Sequence, residues 1–180
     1  PSASQVLYIW KINYQIISRC NEIIWYGDQM EQSDALKRTL AQAHGFRAQS
    51  YFHLFRIFDR IWLNTLPVTP ENVNDERNYR AATAAEVYEL LYSDLNYAAE
   101  NLPWTSYEAG RFNQGAARLI LAKVALWKKD WETALKQIDL IEESNAFHLL
   151  ESPAAVFQNA NLNHSEAIMV QQWSENPGGN

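Results

Sequence analysis

Apolar residues recur at three- and four-residue steps along most of this chain, and the stripes they draw define its elements. Residues 5 to 26 carry such a stripe at Trp10, Tyr14, Ile17 and Ile24, with Asn21 set into it, which predicts a helix ending near Gly27. A second helix is predicted from about Ser33 to Asp59, with Leu36, Leu40, Ala43, Tyr51, Leu54 and Phe58 on one side. The polar stretch "NTLPVTPENVNDERNYR" predicts a long loop over roughly 63 to 82. Thr83 then opens "TAAE", the capping-box spacing in which Thr83 and Glu86 satisfy each other. The helix that follows buries Val87, Leu91, Leu95 and Ala98, and stops at "LPW" because a residue before proline avoids the helical region. A fourth helix covers 113 to 128, with Ala117, Ile120, Leu121, Val124 and Ala125 inward. Asp130 caps a fifth, whose stripe is Trp131, Ala134, Leu135, Ile138 and Ile141. Beyond Asn145 the pattern turns short and partly alternating. "AFHLL" and "EAIMVQQW" are predicted as extended segments flanking a turn of helix near 153 to 157.

The expected fold class is mainly α: tetratricopeptide-like helical hairpins, one long loop, and a little β-strand near the C-terminus. Residues 110 to 137, "GRFNQGAARLILAKVALWKKDWETALKQ", carry the hairpin signal. Ala122 and Ala125 supply the small crossing residues of one helix, Trp131 the aromatic that opens the next, and Ala134 its small crossing residue. Any close-packed helical hairpin prefers similar residues, and the loop at 63 to 82 breaks a 34-residue period. A uniform solenoid is therefore not expected.

Composition changes this picture in two ways. Seven Trp and nine Tyr in 180 residues fit either an aromatic-rich core or a stacking surface for ligands, and most are expected in the core. A net charge of −6 without a basic cluster argues against a nucleic-acid partner. The apolar runs fall short of the roughly 20 residues of a membrane helix. Candidate reactive chemistry is sparse. His44, His53, His148 and His164 are scattered without metal-ligand spacing, so no metal and no cofactor is expected. Cys20, the one cysteine, lies mid-helix with no base beside it and reads as a buried thiol. Arg47 sits in an otherwise apolar helix face and predicts a structural ion pair, with Asp94 a residue of the same kind. Trp10, Trp127 and Trp131 lie on helical stripes and are expected in the core.

Four blocks occur in order: "FRAQSYFHLFRIF" (46 to 58), "AAEVYELLYSDLNYAAENLP" (84 to 103), the hairpin, and "NHSEAIMVQ" (163 to 171). Together with Trp10, Tyr14, Ile17 and Asn21 of the first helix, they resemble the SusD/RagB family of Bacteroidetes surface lipoproteins. The resemblance spans nearly the whole chain. Members of that family are considerably longer, so 1–180 is expected to be a single helical-repeat region of a longer protein. The resemblance implies non-enzymatic capture of an oligosaccharide at the outer-membrane surface and its delivery to a SusC-like TonB-dependent transporter. It implies a membrane link only through a lipid anchor absent from this chain. Peptide capture of the RagB kind, or a tetratricopeptide-type scaffold for protein partners, are the alternatives. Two departures stand out. "FDRIWL" (58 to 63) replaces the common "GDVPL", and "KKDW" replaces "KGDW", which puts Lys129 where a glycine is usual. If φ is positive there, Lys129 costs about 1 kcal/mol.

Sugar rings stack C–H faces on flat aromatics and pair hydroxyls with Asn, Asp, Gln or Arg. Trp62 beside Asn64, and Trp104 with Tyr107 in "LPWTSYEAGR", are the expected ligand-binding residues; Trp25 and Tyr26 are a third option. Each has a weightier structural alternative, an aromatic that plugs its loop against the helices. Arg111 is expected to pin the loop before the fourth helix. No catalytic residue is expected.

Overall fold

The computed structural model describes residues 2–72, 80–106, 108–158, 163–170 and 172. Its helices are α1 (Ala3–Gly27), α2 (Asp34–Phe58), α3 (Ala84–Asn101), α4 (Gln114–Lys128), α5 (Trp131–Glu143) and the short α6 (Pro153–Val156). Each of the five long helices begins at a side-chain cap. Ser2, Ser33, Thr83, Asn113 and Asp130 accept the backbone N–H of Gln5, Leu36, Glu86, Ala116 and Thr133 respectively, satisfying donors that a helix start leaves open. At α3 the box is reciprocal, and Arg80 pairs with the same Glu86 carboxylate. Arg80 first, then the Thr83 N–H and hydroxyl, hold Glu86 at about 2 against an ordinary value of 4.5. A depressed carboxylate contributes stability above its unfolded pKa and loses it as pH falls through the folded one. The first turn of α3 should therefore loosen between pH 4.5 and 2, and the Glu86 carboxyl should titrate near 2 when followed by NMR.

Successive helices run antiparallel, each packed on its chain neighbour. Tyr14–Tyr51 and Trp10–Phe58 join α1 to α2, Phe55–Tyr88 joins α2 to α3, and Tyr92–Asp130 ties α3 to the start of α5. The core lies on the shared faces: Leu40, Tyr51 and Leu54 of α2, Val87, Leu91 and Leu95 of α3, and Leu121 and Val124 of α4 are fully buried. Ala122, Ala125 and Ala134 are buried at the α4–α5 crossing, where the hairpin pattern placed its small residues. The turn there is a Schellman motif. The Asp130 N–H reaches the Ala125 carbonyl and the Lys129 N–H that of Leu126, with Lys129 left-handed at φ 66°. Lys129→Gly should therefore stabilise the fold by about 0.5–1 kcal/mol, read as a higher denaturation midpoint. Asp59, which follows α2, is also at positive φ, 57°.

Two expectations need correction. Trp127 and Trp131 are not core: they are 55% and 63% exposed, and Leu135 on the same side is 63% exposed. A periodic stripe records that a face is apolar, not that an element covers it. The helix partner of α5 is α4, which covers Ala134 and Gln137 and leaves the Trp131 side open. The second correction concerns the C-terminal strands. Among the described residues, 146–150 and 163–170 are extended or bent but form no strand; they are joined by the His148 N–H to the Ser165 carbonyl, the Ser165 hydroxyl to the His148 carbonyl, and the Leu150 N–H to the Glu166 carboxylate. One backbone–backbone bond does not build a ladder.

Candidate functional site

The loop that leaves α2 is held by a buried polar network rather than by its own secondary structure. Its base is Asp94 of α3, 1% exposed. Arg47 of α2 grips both carboxylate oxygens at 2.8 Å through Nε and Nη2, the bidentate geometry that a planar guanidinium permits. Burial alone would lower the Arg47 pKa, and the Asp94 carboxylate more than offsets this and raises it. His44 Nδ1 takes the Asp94 carboxylate from a second side at 2.6 Å and rests its ring on Tyr97. The remaining arm of Arg47 donates to Asn21 Oδ1 at 2.9 Å, and Asn21 in turn donates to the Asn64 carbonyl at 2.8 Å. The structural ion pair expected of Arg47 is therefore present, with three further residues attached.

Above this network the loop meets two tyrosines. The Tyr14 hydroxyl donates to the Trp62 carbonyl at 2.9 Å and accepts the Trp62 N–H at 3.0 Å. The Tyr51 hydroxyl does the same to Asn64, at 2.7 and 2.8 Å. Trp62 is partly buried, its indole stacked on Tyr14 with centroids 6.4 Å apart and planes 24° from parallel. The Asn64 side chain accepts the Leu66 N–H at 3.2 Å, which turns the chain outward. Burial raises the pKa of both tyrosines, so their hydroxyls keep their protons at neutral pH.

The other expected contacts lie apart from this group. Trp104 follows the end of α3 while Trp62 follows the end of α2, and these helices are antiparallel. The two indoles thus sit toward opposite ends of α3, 18 residues or roughly 27 Å long. Trp104 is partly buried and carries the Arg118 guanidinium over its ring at 5.3 Å, while Arg118 also reaches Gln137 of α5. That arrangement holds the Trp104 ring against α4 through a cation–π contact. Tyr107 lies outside the described residues. Trp25 and Tyr26 are exposed on α1. Arg111 pairs with Glu108 at 2.6 Å, and its carbonyl takes the Ser106 hydroxyl, pinning the loop before α4.

Two grooves went unread in the sequence. One, about 890 Å³, runs along α2 between α1 and α4, lined among others by Asn13, Phe46, Gln49, Ser50, His53 and Lys123. The other, about 1170 Å³, opens beside Cys20, Lys37, Arg38, Gln42 and Phe112. Neither is lined by Trp62 or Trp104. Polar helix positions of this kind look like solvated faces until a neighbouring helix walls them in. Cys20 is buried, and its thiol is pushed up to about 11 by burial, so it is no nucleophile at neutral pH. Among the described residues no group of three or more His, Cys, Asp or Glu could hold a metal, and no helix is long and apolar enough to cross a membrane.

The fold thus defines an array of antiparallel helical hairpins in which one interhelical loop is pinned by a polar network. A family model described as SusD-like, starch-binding and associating with the outer membrane matches residues 1–126, and the chain belongs to that family. It is 28% identical over 186 residues to a SusD-like protein of Bacteroides ovatus, covering 91% of this chain and 32% of that one. To a SusD-like protein of Formosa agariphila it is 29% identical over 163 residues, covering 83% and 29%. Among solved structures, a SusD-like carbohydrate-binding protein of Bacteroides fragilis superposes with a TM-score of 0.81 at 24% identity, over 91% of this chain and 32% of that one. A laminarin-binding SusD-like protein matches at 0.80 and 26%, over 89% and 36%. A structure solved with xylogluco-oligosaccharide matches at 0.78 and 25%, over 92% and 35%. The chain spans about a third of the length of these relatives.

Proposed function

We propose that this chain is the helical scaffold of a non-enzymatic outer-membrane protein that captures oligosaccharides at the cell surface and passes them to a SusC-like TonB-dependent transporter. The observation that carries the reading is family membership across residues 1–126, reinforced by similarity to a laminarin-binding protein and to a structure solved with xylogluco-oligosaccharide. Residues 1–180 are one region of a longer protein that a lipid anchor ties to the membrane. Trp62 offers an indole for the C–H face of a sugar, and Asn64 a polar neighbour for its hydroxyls. Trp104 and Tyr107 are a second, separate contact. Capture needs only stacking and hydrogen bonds, so no covalent step is involved.

Calorimetric titration of the whole protein with maltoheptaose, laminarihexaose, a xylogluco-oligosaccharide and a peptide mixture tests the reading. Saturable binding to at least one glycan is expected, together with co-purification of a TonB-dependent β-barrel from outer-membrane extract. Peptide binding without glycan binding would replace oligosaccharide capture by peptide capture of the RagB kind. A soluble protein client recovered in place of the barrel would favour a tetratricopeptide-type scaffold.

A further inference from the structure

The contacts made by Tyr14 and Tyr51 are more than packing requires. Phenylalanine would fill the same space, yet each hydroxyl takes both the N–H and the C=O of one loop residue. Those are the two groups a residue offers to a neighbouring strand. The gripped residues, Trp62 and Asn64, are two apart, and the two tyrosines touch edge to face with centroids 6.5 Å apart. Helices α1 and α2 thus stand where a partner strand would, one hydroxyl replacing each pair of ladder bonds. Asn21 adds a second hold on the Asn64 carbonyl and is itself fixed by Arg47. The Tyr14 ring also backs the indole whose backbone its hydroxyl holds.

We propose that Tyr14 and Tyr51, supported by Asn21, are positioning residues that fix the indole of Trp62 and the amide of Asn64 for a sugar ring. This inference rests on the oligosaccharide capture proposed above. Stacking depends on the orientation of the ring plane, and a platform ordered before binding does not lose that freedom when the sugar arrives. A site held this way also requires its supporting side chains to be locked themselves, and Arg47–Asp94 does this for Asn21.

The test uses the whole protein and whichever of maltoheptaose, laminarihexaose or xylogluco-oligosaccharide it binds tightest. Tyr14→Phe and Tyr51→Phe keep the rings and delete the clamps. Each should weaken affinity about tenfold, the scale of one well-placed hydrogen bond, and speed amide exchange at Trp62 or Asn64 without sugar present. Trp62→Ala should weaken binding more, and adding Tyr14→Phe to it should cost nothing further, because the clamp acts through the indole. A merely structural tyrosine would weaken binding equally in both backgrounds. Tyr14→Phe and Tyr51→Phe at wild-type affinity, beside a crippled Trp62→Ala, would overturn the positioning role. Undiminished binding by Trp62→Ala would overturn it as well while leaving oligosaccharide capture standing. A wild-type protein that binds none of the three glycans would remove both. Should one Tyr→Phe variant fail to fold, the other decides.

Discussion

Arg47→Ala should destabilise the fold by about 3–5 kcal/mol, the cost of breaking a buried pair and leaving one charge uncompensated. Asp94, 1% exposed in the wild type, would be left with only His44 on it, and Asn21 Oδ1 would lose its donor. Urea unfolding followed by far-UV circular dichroism measures the loss. The conservative change is not conservative here: Arg47→Lys supplies a point charge where three directed N–H groups serve three acceptor oxygens on two residues, and should recover only part of the stability. Replacing the pair itself, Arg47→Met with Asp94→Leu, should recover more than either single change. It should still fall short of wild type, because His44 and Asn21 keep polar atoms that the apolar pair cannot satisfy. A loss below about 1 kcal/mol for Arg47→Ala would mean that water reaches Asp94 and that the network holds the loop weakly.

How much of this was legible in the chain depends on sequence distance. Helices and caps are local, so the Thr83–Glu86 box, the Asp130 cap and the helix stop at Pro103 stand where their spacing put them. Lys129 was readable as a left-handed residue from one family departure, and its φ of 66° agrees. Arg47 announced itself as a cation on an apolar face. Its partners did not: Asn21 is 26 residues away and Asp94 is 47, and no spacing rule links them. The tyrosine clamps were hidden for a related reason. Tyr14 and Tyr51 look like stripe aromatics, and only the tertiary fold reveals that their hydroxyls meet backbone 48 and 13 residues on. Trp131 failed in the opposite direction. Its stripe was correctly read as apolar, but burial needs a covering element, and periodicity carries no information about one.

Phe112→Ala is the second large expected effect, again about 3–5 kcal/mol, through loss of buried surface and a cavity. The ring is 1% exposed, edge-on to Phe46 at 5.3 Å, and lies against Gly45 of α2. Gln42 pins the backbone beneath it from both sides, accepting the Phe112 N–H at 3.0 Å and donating to its carbonyl at 2.5 Å. This is how the segment carrying Trp104 and Arg111 is fastened to α2. A glycine inside a helix costs about 0.5–1 kcal/mol against alanine, so Gly45 demands a reason. The reason is Phe112: a Cβ at position 45 would stand 2.7 Å from two of its ring carbons. Gly45→Ala should therefore destabilise by about 1–3 kcal/mol in the wild type. In the Phe112→Ala background the same methyl enters vacated space and gains helix propensity, so its effect should change sign. The double variant should then be more stable than Phe112→Ala alone, a coupling readable by a thermodynamic cycle from urea unfolding. If Gly45→Ala destabilises equally in both backgrounds, the glycine answers to something other than this ring.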